Sequence, residues 1–295
     1  MKRWCSAAEP EAEWNQIDIA AFCAFFAHPA RFLLNRRLGL YLKEEEAALE
    51  ENEPFALDKL SEYAVKQDLI TRLLGGRDSA QAYPVLKASG KLPHGAPGKS
   101  VYDDLAAATT NFTGKISPYV AVGPLKAIDV DTVIDGFRLT GRLENVYPQG
   151  LVSYRLATVK ARDRLGAWIR HLIFNHVSAG QTIVIGEDKA FRYPPLADAS
   201  HHLAVLFALY GQGLCHPLHF FPESSALFAA ATLKGKDAAE ALRSAQGKWD
   251  AFAFPERDDP YYRLCFGRSD PLDDEFRRLA EAIFHPLLEN EEAIR

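Results

Sequence analysis

The hydrophobic period of the chain changes near its middle, and this change constrains the fold more than any other feature. Up to about residue 119 apolar side chains recur at helical spacing, whereas over 119–156 apolar and polar residues alternate. The alternation is clearest in FRLTGRLENV, which starts at Phe137, directly after the hairpin dipeptide Asp135-Gly136. YPQG then turns the chain into LVSYRL, and helical spacing returns from Leu165. The pattern therefore predicts a meander of strands between helices.

A meander with one apolar face needs helices to cover that face. We therefore predict an α/β (α+β) fold, with a mixed sheet flanked by helices and additional helices at both ends. Residues 1–16 are polar and acidic, and we expect a flexible lead-in there. The remainder, 17–295, is predicted to be one domain, with a helical entry region at 17–98, a strand-bearing core at 99–193 and a mostly helical remainder at 194–295.

Three positions on the strands resemble those of restriction-endonuclease-like (PD-(D/E)XK-type) nucleases. Active members of that fold place an acidic residue on one strand and an Asp-x-Lys on the next. Residues i and i+2 of a strand share a face, so both side chains reach one metal-bound water. Here Glu144 takes the first acidic position, but Ser153 stands in place of the second carboxylate and Arg155 in place of the lysine.

These replacements predict that the nuclease chemistry is lost. Arginine stays protonated and cannot accept a proton as a base, and one carboxylate with one serine is a poor magnesium site. Upstream, Tyr102 falls where RecB-type nucleases carry a metal-binding histidine. We expect Arg155 to pair with Glu144 in place of the missing cation. No catalytic residue, metal or cofactor is then expected, and 99–193 is a degenerate nuclease core. The alternative is that Glu144 and Arg155 are unrelated solvent-facing strand residues.

A wider resemblance covers residues 17–290. The chain resembles the C-terminal domain of the RecC family, the gamma subunits of exodeoxyribonuclease V. The similarity lies in segments that occur in the family's order: FFAHPARFLLNRRLGLYL, EPFALDKLSEY, LPHGAPG, LTGRLENVYPQGLVSYR, WIRHLIFNH, FRYPPLA, HPLHFFPES and DDPYYRLCF. RecC chains are much longer and carry helicase-like portions that are absent here, so we expect an excised domain.

The resemblance implies a non-catalytic domain of the RecBCD helicase–nuclease, which acts in double-strand-break repair by homologous recombination. The domain is expected to dock partner subunits and to help shape the passage of the DNA strands. The resemblance also implies RecB and RecD as partners, attachment of RecD to this domain, and DNA contact within the assembled complex. The aromatic stretches His219 to Phe228 and Tyr261 to Phe266 are candidates for the protein-docking surface.

The charge of the chain limits how it can contact DNA. Its formal net charge is −5, whereas a domain that binds DNA through many non-specific phosphate contacts is usually basic. Any contact must therefore be local, and the candidates are Arg31, Arg36, Arg37 and Arg142. For the Arg36-Arg37 pair, a solvated helix face paired with Glu44 to Glu46 is an equal alternative.

Two other functions stay open. One is an active metal-dependent nuclease that uses Glu144 with Asp103 or Asp104, and the missing ligands count against it. The other is a protein-interaction module without DNA contact, which the negative charge favours over independent DNA binding.

Composition excludes several further classes of protein. No segment approaches the ~18 consecutive apolar residues of a membrane span, and the N-terminus lacks the apolar run of a secretory signal, so we expect a cytoplasmic protein. The four cysteines lie far apart in the sequence and predict neither a disulfide framework nor a zinc site.

Overall fold

The computed structural model describes residues 12–42, 57–267 and 269–294. Within them, the α-helices are α1 (Ile19–Ala27), α2 (Pro29–Phe32), α3 (Lys59–Leu74), α4 (Ala82–Ala88), α5 (Ala96–Val120), α6 (Ala161–Val177), α7 (Ala199–Cys215), α8 (Pro222–Leu233), α9 (Ala238–Trp249), α10 (Pro260–Phe266) and α11 (Asp274–Glu289). The strands are β1 (Gln16–Asp18), β2 (Ile128–Ile134), β3 (Phe137–Leu143), β4 (Val146–Tyr147), β5 (Gly150–Tyr154), β6 (Thr182–Ile185), β7 (Ala190–Tyr193) and β8 (Glu292–Ala293). The predicted mixed α/β architecture is therefore confirmed, but its strands form two sheets where one mixed sheet was expected.

The first sheet has the order β1-β3-β2. β2 and β3 form the predicted antiparallel hairpin, with Ile134 opposite Phe137 and Ile128 opposite Leu143. Both turn residues between them have positive φ, 49° at Asp135 and 83° at Gly136, as a two-residue turn of the primed type requires. β1 adds in parallel to β3. Ordered structure thus begins inside the segment 1–16 that was expected to be flexible, while residues 1–11 lie outside the described residues.

The second sheet has the order β4-β5-β6-β7-β8 and is mixed. β5 and β6 are parallel, and α6 is the crossover helix that a parallel connection needs. The entrance to β5 requires glycine, because Gly150 has φ 125° and a Cβ atom there would lie 2.2 Å from the carbonyl oxygen of Gln181. A hydrogen bond from the Val152 amide to the Asn145 carbonyl, 3.0 Å long, holds β5 beside the end of β3. The ends of these two strands are thereby neighbours.

The buried helix α6 organises the main core. It packs against α1 on one side and α7 on another, and it covers β5 and β6. Its fully buried stripe contains Leu165, Trp168 and Leu172. A second group of aromatic rings joins α1 to α7, with Phe22 stacked on Phe207 at 4.4 Å between ring centroids. The strands are therefore fixed from behind by a rigid helical layer.

The C-terminal helices form a second aromatic cluster around Phe221. Its ring contacts Trp249, Tyr262, Phe266 and Phe276 at centroid separations of 4.4 to 6.1 Å. The proposed docking stretches His219 to Phe228 and Tyr261 to Phe266 are thus mainly core, and the expectation of an aromatic surface patch there is wrong. Aromatic side chains in these segments bury their area against one another because five rings converge at one point.

No helix in the described ranges is long and apolar enough to span a lipid bilayer.

Candidate functional site

The ends of β3 and β5 face two adjoining cavities. The first has a volume of about 390 Å³ and is lined by Glu144 and Ser153, among others. The second has a volume of about 510 Å³, lies between β5, α6 and α1, and is lined by Ser153 and Arg155. Ser153, Ala167 and Arg170 line both. We call the two cavities together the β5–α6 cleft. The strand register thus brings three of the four predicted nuclease positions to one cleft.

The predicted ion pair between Arg155 and Glu144 is not formed. Nη1 of Arg155 lies 3.1 Å from Oδ1 of Asp163, in the first turn of α6, and its guanidinium sits 5.5 Å from the ring centre of Tyr63. Asp163 also accepts a hydrogen bond of 3.0 Å from the Lys160 amide, so its position is fixed by the start of the helix. The chain leaves β5 at Tyr154 and enters α6 within a few residues, which puts Asp163 nearer than Glu144.

Tyr102 is not part of the cleft. It is buried on α5, its hydroxyl donates to the carbonyl oxygen of Ser79, and its ring lies 5.0 Å from that of Tyr83. Its neighbour Asp103 forms an ion pair with Lys99, four residues earlier on the same helix. Neither Asp103 nor Asp104 lines the two cavities. Helix α5 therefore contributes none of these side chains to the β5–α6 cleft.

The cleft carries a surplus of positive charge. Beside Arg155 it contains Arg162, which is exposed, and Arg170, which is half-buried. The Nη1 atom of Arg170 donates to the Gly166 carbonyl at 3.0 Å, within its own helix. In the part of the chain that the structure describes, Arg162 and Arg170 form no ion pair, whereas Asp163 is occupied by Arg155.

A cysteine lies in the α1 wall of the cleft. Cys23 is buried, and burial raises the pKa of its thiol to about 11, against a smaller lowering effect from Arg170. The thiol is therefore protonated at neutral pH and is a poor nucleophile.

The residues of the cleft do not fit a divalent metal. Hard cations such as Mg²⁺ require several oxygen ligands, and Glu144 is the only carboxylate of the first cavity. The Asp163 carboxylate of the second cavity is neutralised by Arg155. Over residues 12–42, 57–267 and 269–294, no three His, Cys, Asp or Glu side chains are grouped to hold a metal ion. Among the described residues, the cleft therefore offers no ligand set for a divalent metal ion.

Of the four arginines proposed to contact DNA, only Arg142 lines the β5–α6 cleft. Arg31 lies 3.7 Å from Asp259 and 4.9 Å from the ring centre of Tyr261. Arg142 pairs with Asp129 across the β2–β3 hairpin at 3.0 Å and also lines the first cavity. Arg36 is exposed and Arg37 is half-buried in the π-helical segment Leu33–Arg37. Their proposed partners Glu44 to Glu46 lie outside the described residues.

Sequence reasoning missed Arg162 and Arg170. Both lie on α6, and the sequence offered only their helical spacing, which does not reveal which side of a helix borders a cavity. Asp163 carried a clearer signal, because acidic residues are favoured in the first turn of a helix.

A profile of the RecC C-terminal domain matches residues 14–233, which includes β1 to β7 and all residues of the cleft. The chain belongs to the RecC C-terminal domain family. It is 28% identical over 204 residues to the RecBCD enzyme subunit RecC of Escherichia coli (strain K12), covering 68% of this chain and 18% of that protein. It is 25% identical over 218 residues to the subunit of the same name from Buchnera aphidicola subsp. Schizaphis graminum, covering 72% and 20%.

RecC of Haemophilus influenzae is 23% identical over 191 residues, covering 62% of this chain and 17% of that protein. The chain thus spans about a fifth of the length of these curated relatives. The match to the RecC C-terminal domain ends at Leu233, the last residue of α8, so α9, α10 and α11 lie beyond it.

Proposed function

We propose that this chain is a non-catalytic domain of a RecBCD-type helicase–nuclease (exodeoxyribonuclease V) that acts in recombinational repair of double-strand breaks. Its core is a degenerate restriction-endonuclease-like core, in which α5, the β2–β3 hairpin, β5, α6 and β6 follow one another. Membership of the RecC C-terminal domain family supports this function, and the names of the relatives supply the complex.

The Arg155–Asp163 ion pair carries the non-catalytic part of the proposal. Arg155, at the vestigial lysine position, forms an ion pair with Asp163 at 3.1 Å, so the cation beside this carboxylate is a guanidinium group. Arg155 cannot act as a base, and Ser153 supplies no carboxylate. The rival nuclease, with Glu144 and Asp103 or Asp104, is weakened further because neither aspartate borders the cleft.

A fold that has lost its nuclease chemistry but keeps an intact core can still dock partner subunits. The loop between α9 and α10 exposes two phenylalanines, Phe252 and Phe254, almost completely. Lys248 Nζ donates to the Phe254 carbonyl at 3.0 Å, and Phe254 has a φ of 53°, a conformation costly for a bulky residue. Large aromatic side chains held in water mark protein interfaces. We therefore place contacts with RecD or RecB at this loop, and DNA contacts second.

Co-purification tests this docking role. Tagged chain is co-expressed with RecB and RecD from the same organism, and stoichiometric capture of either subunit is expected. The double variant Phe252→Ala/Phe254→Ala should lose most of the captured subunit, because anchor aromatics typically contribute about 2 kcal/mol or more each.

Val85→Ala is the matched control, since Val85 is an exposed apolar residue on α4, and it should leave capture unchanged. Capture of neither subunit by the wild-type chain contradicts the docking role. Unchanged capture by the phenylalanine variant, with the fold intact, contradicts only the placement at this loop.

A further inference from the structure

The second cavity of the β5–α6 cleft is lined by three arginines, where a metal-dependent nuclease would bind its metal ions. We propose that it is a metal-free binding site for a phosphate group of a nucleic-acid strand, with Arg162 and Arg170 as the principal ligands. The proposal deepens the proposed function, and it rests on that function for the nature of the strand. It differs from the four arginines predicted from the sequence, because Arg155, Arg162 and Arg170 line the same cavity.

The charge balance of the second cavity carries the inference. Arg155, Arg162 and Arg170 line it together with one carboxylate, Asp163, and that carboxylate is already paired with Arg155. Arg162 and Arg170 have no acidic partner among the described residues, so they are available to an anion. The half-buried Arg170 is positioned by its bond to the Gly166 carbonyl, and this reduces the conformational freedom lost on binding.

The remaining lining is compatible with a phosphate group. The Ser153 side chain is exposed in both cavities, and its hydroxyl can donate to a phosphate oxygen. The α1 wall consists of Ala20, Ala24 and Ala27 beside Cys23, so small side chains leave the guanidinium groups accessible. A volume of about 510 Å³ is in the range of sites for small ligands, which suits a nucleotide unit. Guanidinium groups bind phosphate through paired, charge-assisted hydrogen bonds and need no metal.

Anisotropy titration of the full chain with a fluorescein-labelled single-stranded 20-mer, in EDTA, tests the site. The variant Arg162→Ala/Arg170→Ala should bind at least about tenfold more weakly than wild type, since a hydrogen bond to a charged group contributes roughly 1.5–3 kcal/mol. The slope of log affinity against log salt should become shallower by about 0.7, because the contact with one phosphate of a single strand is lost.

Arg243→Ala is the matched control, because Arg243 is an exposed arginine on α9 that borders neither cavity. It should leave affinity and salt slope nearly unchanged. If the double alanine variant fails to fold by circular dichroism, Arg162→Gln/Arg170→Gln replaces it with side chains of similar length. An equal loss in the Arg243 control overturns the site, because the effect is then bulk charge.

A second variant should bind the oligonucleotide more tightly than the wild-type chain. Asp163→Asn releases Arg155 from its ion pair, while the asparagine oxygen can still accept from the Lys160 amide. We expect binding about two- to fivefold tighter, the usual range for an exposed ion pair. Unchanged or weaker binding by a folded Asp163→Asn variant contradicts the assignment of Arg155 to the same site.

Competition identifies the ligand class. Inorganic phosphate at millimolar concentration should displace part of the oligonucleotide, whereas an acidic peptide of equal charge should displace much less. Equal displacement by the peptide overturns the phosphate assignment, and phosphate binding without any oligonucleotide binding overturns the nucleic-acid assignment. Capture of RecB and RecD should be unaffected by Arg162→Ala/Arg170→Ala, so failure of this site is distinguishable from failure of the docking function.

Discussion

The β5–α6 cleft and the C-terminal helices α9 to α11 present opposite kinds of surface. The cleft is lined by four arginines, the carboxylates Glu144 and Asp163, small polar residues and aliphatic residues, and no aromatic side chain of the described residues lines it. The C-terminal helices carry an aromatic cluster around Phe221 and expose Phe252 and Phe254 on one loop. Under the two proposals made above, the first region offers charge to an anion, and the second offers apolar area to a partner protein.

The largest expected effect comes from comparing a buried and an exposed phenylalanine of the C-terminal region. Phe221→Ala should lower the free energy of unfolding by about 3–5 kcal/mol, because it removes the ring around which the C-terminal cluster packs. Phe254→Ala removes an exposed ring and should change stability by less than about 0.5 kcal/mol. Urea denaturation of both variants measures the difference. A large loss of stability in Phe254→Ala would mean that its ring packs in solution and is not free to dock.

A pH titration sharpens the comparison at the core side of the cleft. Burial lowers the pKa of His171 to about 4 from its usual 6.5, and its Nδ1 lies 2.9 Å from Oγ1 of Thr182, which lines the cleft. Between pH 6.5 and pH 4 the unfolded chain therefore binds more protons at His171 than the folded chain does. The stabilising effect of a neutral His171 is complete above pH 6.5 and is lost as the pH falls to about 4. This contribution should be at most about 3 kcal/mol.

Thermal melts of wild type and His171→Gln over this pH range measure the effect. The wild-type melting temperature should fall on acidification, and the variant should fall less. Parallel pH profiles for the two proteins would show that His171 does not carry the pH dependence.

Different parts of the molecule were predictable from the sequence to different degrees. Alternation along FRLTGRLENV and LVSYRL sufficed for β3 and β5, because a period of two fixes which side chains share a face. It therefore placed Ser153 and Arg155 on one face, and both line the second cavity. Glu144 follows the end of β3 and lines the first cavity, without the predicted ion pair to Arg155.

The features that the sequence did not predict depend on tertiary packing. Tyr102 lies on α5, whose buried face is set by contacts with α3, and no local pattern reveals such contacts. The partner of Arg155 depended on where α6 begins after β5, and Asp163 was closer than Glu144. The aromatic run after His219 looked like a docking surface, but only the fold shows that its rings converge with those of α9, α10 and α11. Exposure of the two phenylalanines at 252 and 254 was equally invisible in the sequence.

Nuclease activity is the most direct test of the central claim that this domain is non-catalytic. The purified chain is incubated with linear single- and double-stranded DNA in Mg²⁺ or Mn²⁺, with Glu144→Ala prepared in parallel. Since Ser153 and the Arg155–Asp163 pair leave no ligand set for a metal, we expect no degradation by either protein above a buffer control. Degradation by the wild-type chain that disappears in Glu144→Ala would contradict the claim and establish an active nuclease.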